Sequence, residues 1–414
     1  MDTFQFFDLP NGVRSIMLPF TSEVAHLAVY INTGSRDEQE HEHGIAHLIE
    51  HTAFKGTTHR KAYHILSRID DVGGDLNAFT TKEHICFHAS FLTRYTDRAM
   101  ELLADILLHS TFPEKEIEKE KLVIRDEINS FMDSPAESIF DDFEEMIYDG
   151  HPIARNILGD PSTIGNLSRD HILQFAGRNF KPRGITIAFI GNLTPKRFNG
   201  LVSKYFSEMN GSGPLPERLP FTGYRPRELC IEKDTYQTHL ITGNLAYPES
   251  HPKKLTLQLL NNILGGPASS SRLNMALRER NASTYHVESN YQAYTDTGYL
   301  IVYMGITNGE TGKAIDTLWK ELDKLRNQPL GSLQLHKAHL QVAGQIALGH
   351  ESKLSEMLWM GRRYLHEEAP ETVAEIIREV EKTDSSALME TANEIFVRDR
   401  FSTLIYPAKP ESDG

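Results

Sequence analysis

Residues 207–227 constrain the architecture more than any other stretch. They hold Gly211-Ser212-Gly213-Pro214-Leu215-Pro216 and then Pro220-Phe221-Thr222-Gly223-Tyr224-Arg225-Pro226, a composition that sustains neither helix nor sheet. This linker divides 414 residues into two parts of nearly equal size, 1–206 and 228–414. Each part is long enough to bury its own core.

The first part reads as α+β. Phe4 to Leu9 and Val13 to Leu18 form a hairpin about Pro10-Asn11-Gly12, and Val24 to Asn32 is a strand. Tyr63 to Val72 is a helix stopped at Gly73-Gly74, and Asp75 to Phe91 reads as strand. Thr93 to Leu108 and Pro113 to Tyr148 are helical, Ile185 to Ile190 is a compact strand, and Arg197 to Phe206 is a helix. The second part echoes that order. Thr238 to Ala246 takes the place of Val24 to Asn32, a helix from Lys253 to Leu264 follows, then a strand from Tyr285 to Ala293, and Phe401 to Tyr406 closes the part. Between 312 and 396, stripes such as Leu318, Leu322, Leu325 and Leu354, Met357, Leu358 read as core. Pro407 to Gly414 reads as a polar tail.

The chemistry concentrates in His47-Leu48-Ile49-Glu50-His51. Ile45, Leu48, Ile49 and Thr52 recur at helical spacing, and neither Pro nor Gly interrupts the run before Gly56. Residues three and four apart share a helix face, so His47, Glu50 and His51 converge opposite the aliphatic stripe. Two neutral imidazoles four apart can both reach one Zn²⁺ at about 2.0–2.1 Å. The carboxylate between them lies close enough to take a proton from water activated by the metal. The order inverts the commoner His-Glu-x-x-His arrangement. His41, His43, His59 and His64 nearby read as structural or solvated side chains, as does His151 beside Pro152.

A catalytic zinc takes three protein ligands and keeps one position open, so a third donor is needed from another element. Residues 114–131 are strongly helical, with an apolar stripe of Ile117, Ile124, Ile128 and Phe131. Glu120 and Glu127, seven apart, share one face. Acidic residues on such a helix are usually solvated, and the stripe alone does not choose between them.

Composition narrows the remaining classes. A formal net charge of −14 argues against nucleic acid and against an anionic membrane surface, and suits basic peptides. No apolar run approaches a membrane span, and the first eight residues lack the basic and apolar regions of a signal peptide. Cys86 and Cys230, far apart, suggest two inert thiols in a reducing cytoplasm.

The run from His47 through Phe54-Lys55-Gly56-Thr57 resembles the zinc segment of the pitrilysin/insulinase family, which includes the mitochondrial processing peptidase. That family takes its third ligand from a Glu about 76 residues after the second His, with another Glu seven residues earlier. Glu127 and Glu120 stand at those positions. The resemblance implies Glu127 as the third ligand, one zinc per chain, and Glu120 as a neighbour that orients the site. It also implies that Asn77-Ala78-Phe79-Thr80 is an exposed edge strand on which a peptide pairs through its backbone, with Asn77 and Ala78 as contacts. In the second part it implies an Arg and a Tyr seven apart, matched by Arg278 and Tyr285, that hold the substrate and stabilise the developing oxyanion. The family's Arg-Gly-Leu-Ala segment before that Tyr is replaced here by Arg280-Asn281-Ala282-Ser283-Thr284.

The resemblance extends over nearly the whole chain. It implies two similar α+β domains, each a mixed sheet covered by helices, in a processing-peptidase-like metallohydrolase clamshell half. The first domain would carry the metal; the second would lack it and carry the Arg/Tyr pair. The expected activity is that of a zinc-dependent endopeptidase acting in an enclosed chamber, with Glu50 as general base. The expected partners are a peptide or unfolded polypeptide and a second unit, most simply in a homodimer. Two alternatives stand beside it: a non-catalytic peptide-binding partner, and a metalloenzyme acting on a small molecule.

Overall fold

Period-2 alternation in β3 (Val24–Ile31) and β5 (Ile85–Leu92) sends successive side chains to opposite faces of one sheet, and both faces are apolar. A sheet of this kind has to be covered twice, and the chain satisfies the requirement in an order that its sequence does not follow. The computed structural model describes residues 3–211, 213–366 and 369–409; Ser212 of the linker and the tail from Pro410 lie outside them.

The first sheet runs β1-β2-β6-β3-β5-β4, with β1 (Gln5–Asp8), β2 (Arg14–Pro19), β4 (Asp75–Thr80) and β6 (Ile185–Gly191). Only the β2–β6 pair is parallel. The second runs β7-β11-β8-β10-β9, with β7 (Glu228–Cys230), β8 (Thr238–Leu245), β9 (Thr284–Ala293), β10 (Gly298–Ile306) and β11 (Ser402–Tyr406). Again one pair, β7–β11, is parallel and the rest antiparallel. Strand for strand, β8 corresponds to β3 and β11 to β6, so the fold is two similar α+β domains. In each, an edge strand (β4 or β9) pairs on one side only among the described residues.

Two expected elements divide. Asp75–Phe91 is two strands about a turn at Thr81–His84, which the Thr81 hydroxyl closes by accepting from the amides of Glu83 and His84 at 3.2 and 3.0 Å. The long helix after Pro113 becomes Glu114–Met132 and Pro135–Ile147, because Pro135 lacks the N–H that would continue it and instead starts the next helix.

Contacts gather the chain into two compact units. Among the described residues, one comprises those of 1–129, 155–218 and 349–370; the other comprises those of 130–154, 219–348 and 371–414. The sequence order places 130–154 in the first part and 349–370 in the second, yet each lies in the other unit. The helix Lys353–Leu365 lays Met357, Met360, Tyr364 and Leu365 on Ile16, Ala28, Tyr30 and Ile190 of the first sheet. The helix Pro135–Ile147 lays Ile139, Phe143 and Ile147 on Ile241, Ile301 and Leu404 of the second. The opposite faces carry the two larger cores, with Val29, Phe87 and Ile187 in the first and Leu240, Val302 and Leu318 in the second. The early linker is fixed to the first unit, where Arg218 grips the Asp37 carboxylate at 2.8 and 2.7 Å and the Glu83 carbonyl at 2.7 Å. Among the described residues no helix is long and apolar enough to cross a membrane.

Candidate metal centre

The His47 helix, Ile45–Ala53, starts from Gly44, whose φ of 93° lies in the left-handed region. A side chain there would also meet Ile164 Cδ1 at 2.4 Å and Gly159 Cα at 2.9 Å. The free amides at this helix start are met by buried Glu38, which accepts from Gly44 and Ala46, both at 2.9 Å. Burial pushes the Glu38 carboxyl up to about 8, although these two amides pull it back. Ile45, Leu48, Ile49 and Thr52 are fully buried, which turns His47, Glu50 and His51 to the other side.

Helix Glu114–Met132 buries Ile117, Ile124 and Ile128 in the same core, and thereby presents Glu120 and Glu127 to the His47 helix. Glu127 Oε2 lies 3.8 Å from His47 Nε2 and 3.6 Å from His51 Nε2. One ligand atom from each of the three residues falls within 4.8 Å of the other two. The imidazoles are nearly perpendicular, at 77°, with centroids 4.6 Å apart. Ligands about 2.0–2.1 Å from a tetrahedral ion sit roughly 3.3–3.4 Å from one another. Two imidazoles and a carboxylate at these separations therefore fit a zinc ion. Burial, and next the neighbouring His51, hold His47 down to about 4, so its ring is neutral at physiological pH and offers a lone pair.

The surroundings are equally specific. Glu120 Oε2 lies 3.0 Å from His51 Nδ1, and its Oε1 lies 2.8 Å from Lys55 Nζ. Burial works to raise the Glu120 carboxyl, but the hydrogen bonds from Lys55 and His51 outweigh it and keep the group below its ordinary value. His47 Nδ1 is buried and has no such partner among the described residues. Glu50 is raised, chiefly by burial, and hydrogen bonding to Thr80 only partly opposes the shift. Thr80 ends β4, the edge strand; Asn77 on it is exposed and Ala78 half-buried.

Arg278 and Tyr285 lie in the second unit. Arg278 sits on a π-helical stretch, Asn274–Arg280, and lines a cavity of about 640 Å³ with Asn262, Glu288 and Tyr291. Tyr285 is the second residue of the edge strand β9 and is 71% exposed. Between them Ala282 takes a left-handed backbone, φ 48°, unusual for a residue with a side chain. Cys86 is buried and Cys230 exposed, and both are free.

Three participants escape sequence reasoning. Glu38 carries no helical or motif spacing to the His47 helix. Thr80 stands in the edge strand that the resemblance marks, but its hydrogen bond to Glu50 is reached only through the sheet. Lys55 follows the helix end, where i to i+4 geometry no longer holds, though it stands in the segment that carries the resemblance.

The structure superposes on that of a protease from Helicobacter pylori with a TM-score of 0.92 at 20% identity, covering 99% of this chain and all of that one. It also superposes on a peptidase M16 inactive domain from Pseudomonas fluorescens, with a TM-score of 0.89 at 18% identity over 99% and 98%. The architecture is thus one found in peptidases. In sequence, residues 19–161 match the family profile described as Insulinase (Peptidase family M16), and residues 166–341 match Peptidase M16 inactive domain. An uncharacterized zinc protease of Bacillus subtilis, YmxG, is 32% identical over 400 residues, covering 96% of this chain and 97% of the relative. Another from Rickettsia felis is 30% identical over 98% of both. The chain belongs to the insulinase family of peptidases, family M16.

Proposed function

We propose that this protein is a zinc-dependent endopeptidase that cuts peptides or unfolded segments of polypeptide. The observation that carries the reading is the approach of Glu127 to both imidazole nitrogens, at 3.8 and 3.6 Å, from a separate helix. His47, His51 and Glu127 would hold one ion, and zinc bound there would supply Lewis acidity toward water and toward a peptide carbonyl.

The remaining work falls to the protein. Glu50 accepts the proton of the attacking water and returns it to the leaving amine, and a carboxyl raised by burial is better matched to both transfers. Glu120, held between Lys55 and His51, fixes the His51 ring. The free edge of β4 takes the substrate as an added strand, with Asn77 and Ala78 as contacts; such pairing reads extended shape more than side chains. Arg278 and Tyr285 donate to the substrate backbone and to the negative charge that develops on the attacked carbonyl oxygen. In this division of labour residues 1–206 supply the metal ligands and 228–414 the Arg/Tyr pair. Two copies of the chain would enclose the substrate in a chamber; light scattering that finds only monomer at micromolar concentration would count against this. A cytoplasmic location is part of the same reading.

The second reading, a non-catalytic peptide-binding partner, draws on the description of the Pseudomonas fluorescens neighbour as an inactive domain. One experiment separates the two. Peptide-library cleavage is followed by mass spectrometry, with and without chelator, in the parent and in Glu50→Gln. Cleavage that is lost with chelator, and falls at least ~10²-fold in Glu50→Gln while zinc content is unchanged, supports the enzyme. A zinc-loaded parent that binds peptides and cuts none overturns it.

A further inference from the structure

A second cluster of metal-ligating side chains lies in the first unit and takes no part in the proposed reaction. The helix Thr96–His109 places Asp105 and His109 four apart, on one face. Facing them is the loop after the His51 helix, which is bound to that helix end: the Thr58 amide donates to the His109 carbonyl at 2.9 Å, and Thr57 bridges to Ser110. The loop brings in His59. Asp105 Oδ1 lies 2.7 Å from His59 Nδ1 and 3.1 Å from His109 Nδ1.

Three observations give this cluster more than structural meaning. The Asp105 side chain is only 3% exposed, and its other oxygen is already met by Thr57 Oγ1 at 2.8 Å and by Arg60 Nη1 at 2.6 Å. The carboxylate is thus compensated without either histidine. Both imidazoles are solvent-accessible, and ordering two exposed rings on one buried oxygen costs side-chain entropy that a bound ion would offset. The rings adopt nearly the arrangement of His47 and His51: centroids 4.6 Å apart and planes at 83°, against 4.6 Å and 77°. One ligand atom from each of the three residues lies within 4.8 Å of the others. The nitrogen–oxygen separations of 2.7 and 3.1 Å are shorter by about 0.2–0.7 Å than the roughly 3.3–3.4 Å of tetrahedral ligands, so an opening of the rings by that amount admits an ion. The site opens into a cavity of about 580 Å³ also lined by Glu101, Lys204 and Glu208, which gives an ion a path from solvent.

We propose that His59, Asp105 and His109 form a second divalent-metal site, made of residues distinct from the His47 centre. Two imidazole nitrogens and one carboxylate oxygen suit a transition ion such as Zn²⁺, Ni²⁺ or Cu²⁺ and discriminate against Mg²⁺ and Ca²⁺, which take oxygen ligands. An ion seated there replaces the N–H···O bonds of the two rings, each of which then carries its proton on Nε2. It ties the loop that follows the His51 helix to the helix Thr96–His109.

The test uses protein without a histidine tag, dialysed against excess Zn²⁺ and measured by elemental analysis. The unaltered chain should bind two zinc ions. The His47→Ala/His51→Ala variant should retain one, and adding His59→Ala and His109→Ala should remove it. Asp105 stays in place because Thr57 and Arg60 depend on it. Zinc should raise the melting temperature of the His47→Ala/His51→Ala variant but not of the fourfold variant, and Mg²⁺ should raise neither. If the His47→Ala/His51→Ala variant does not fold, His59→Ala/His109→Ala in the otherwise unaltered chain must lower stoichiometry by one. Failure of the first centre alone would leave one zinc that depends on His59 and His109. A zinc count indifferent to those two histidines overturns the second site.

Discussion

Two carboxylates on separate helices, Glu50 and Glu120, are driven in opposite directions by their neighbours. Burial raises Glu50, while hydrogen bonds from Lys55 and His51 hold Glu120 low. In the proposed mechanism the first must exchange a proton and the second must stay charged to hold an imidazole. Lys55 is therefore a positioning residue. Lys55→Met removes the partner of Glu120 rather than of His51 itself, and should weaken zinc binding at the His47 centre by about 10-fold, the low end of the range for lost partners of metal-ligating histidines. Lys55→Arg should restore much of it, and competition with a chromophoric chelator reads both. An unchanged affinity in Lys55→Met would remove Lys55 from the account. The pattern His47-x-x-Glu50-His51 is legible because helical spacing converts it directly into a shared face. The contact between Lys55 and Glu120 is not, because it joins the turn after one helix to the middle of another.

At the level of elements, the helix Lys353–Leu365 shows how little a correct apolar stripe reveals of its destination. Met357 reads as core and is core, but on the sheet of the other half of the sequence. At Gly361 the helix comes so near the sheet that a Cβ would lie 2.5 Å from Tyr30 Cε2 and 2.8 Å from Ala188 Cβ. Gly361→Val should therefore cost about 1–3 kcal/mol by overpacking, outweighing any gain in helix propensity. Urea denaturation should show a lower midpoint with little change in slope; an equal or higher midpoint would mean that the helix does not rest on that sheet. The same limit explains the divided strand at Thr81–His84. Alternation continues on both sides of that turn, and only the pairing of β4 with β5 separates them.

For the whole molecule, buried histidines set the response to acid. His84 is held well below its ordinary value and His47 down to about 4, both chiefly by burial. A group whose pKa is lowered by folding stabilises the fold above its unfolded value, here 6.5, and the contribution is lost as the pH falls through the folded value. Metal-free protein should thus lose stability progressively from about pH 6.5 toward pH 4. Glu38, raised to about 8 from 4.5, works the other way: its contribution is full below 4.5 and is lost as the pH rises through 8. Glu38→Gln should make the acid loss steeper between those limits. Thermal melts of both proteins across this range check the pair, and a flat profile in the parent would contradict the burial of the histidines.

The sequence by itself determined the α+β class, the doubled order of strands and helices, and the helix that carries His47, Glu50 and His51. These are properties of local spacing, and a period of two or of 3.6 residues is written in the chain. Resemblance singled out Glu127 over Glu120 as the third ligand, which the apolar stripe could not do. Only the tertiary structure decided which helix covers which sheet and how Lys55 reaches Glu120. It alone brought His59 to Asp105 and His109, because those contacts join segments whose separation along the chain carries no periodic signal. They exist only once each two-faced sheet has found the apolar surfaces that keep it from water.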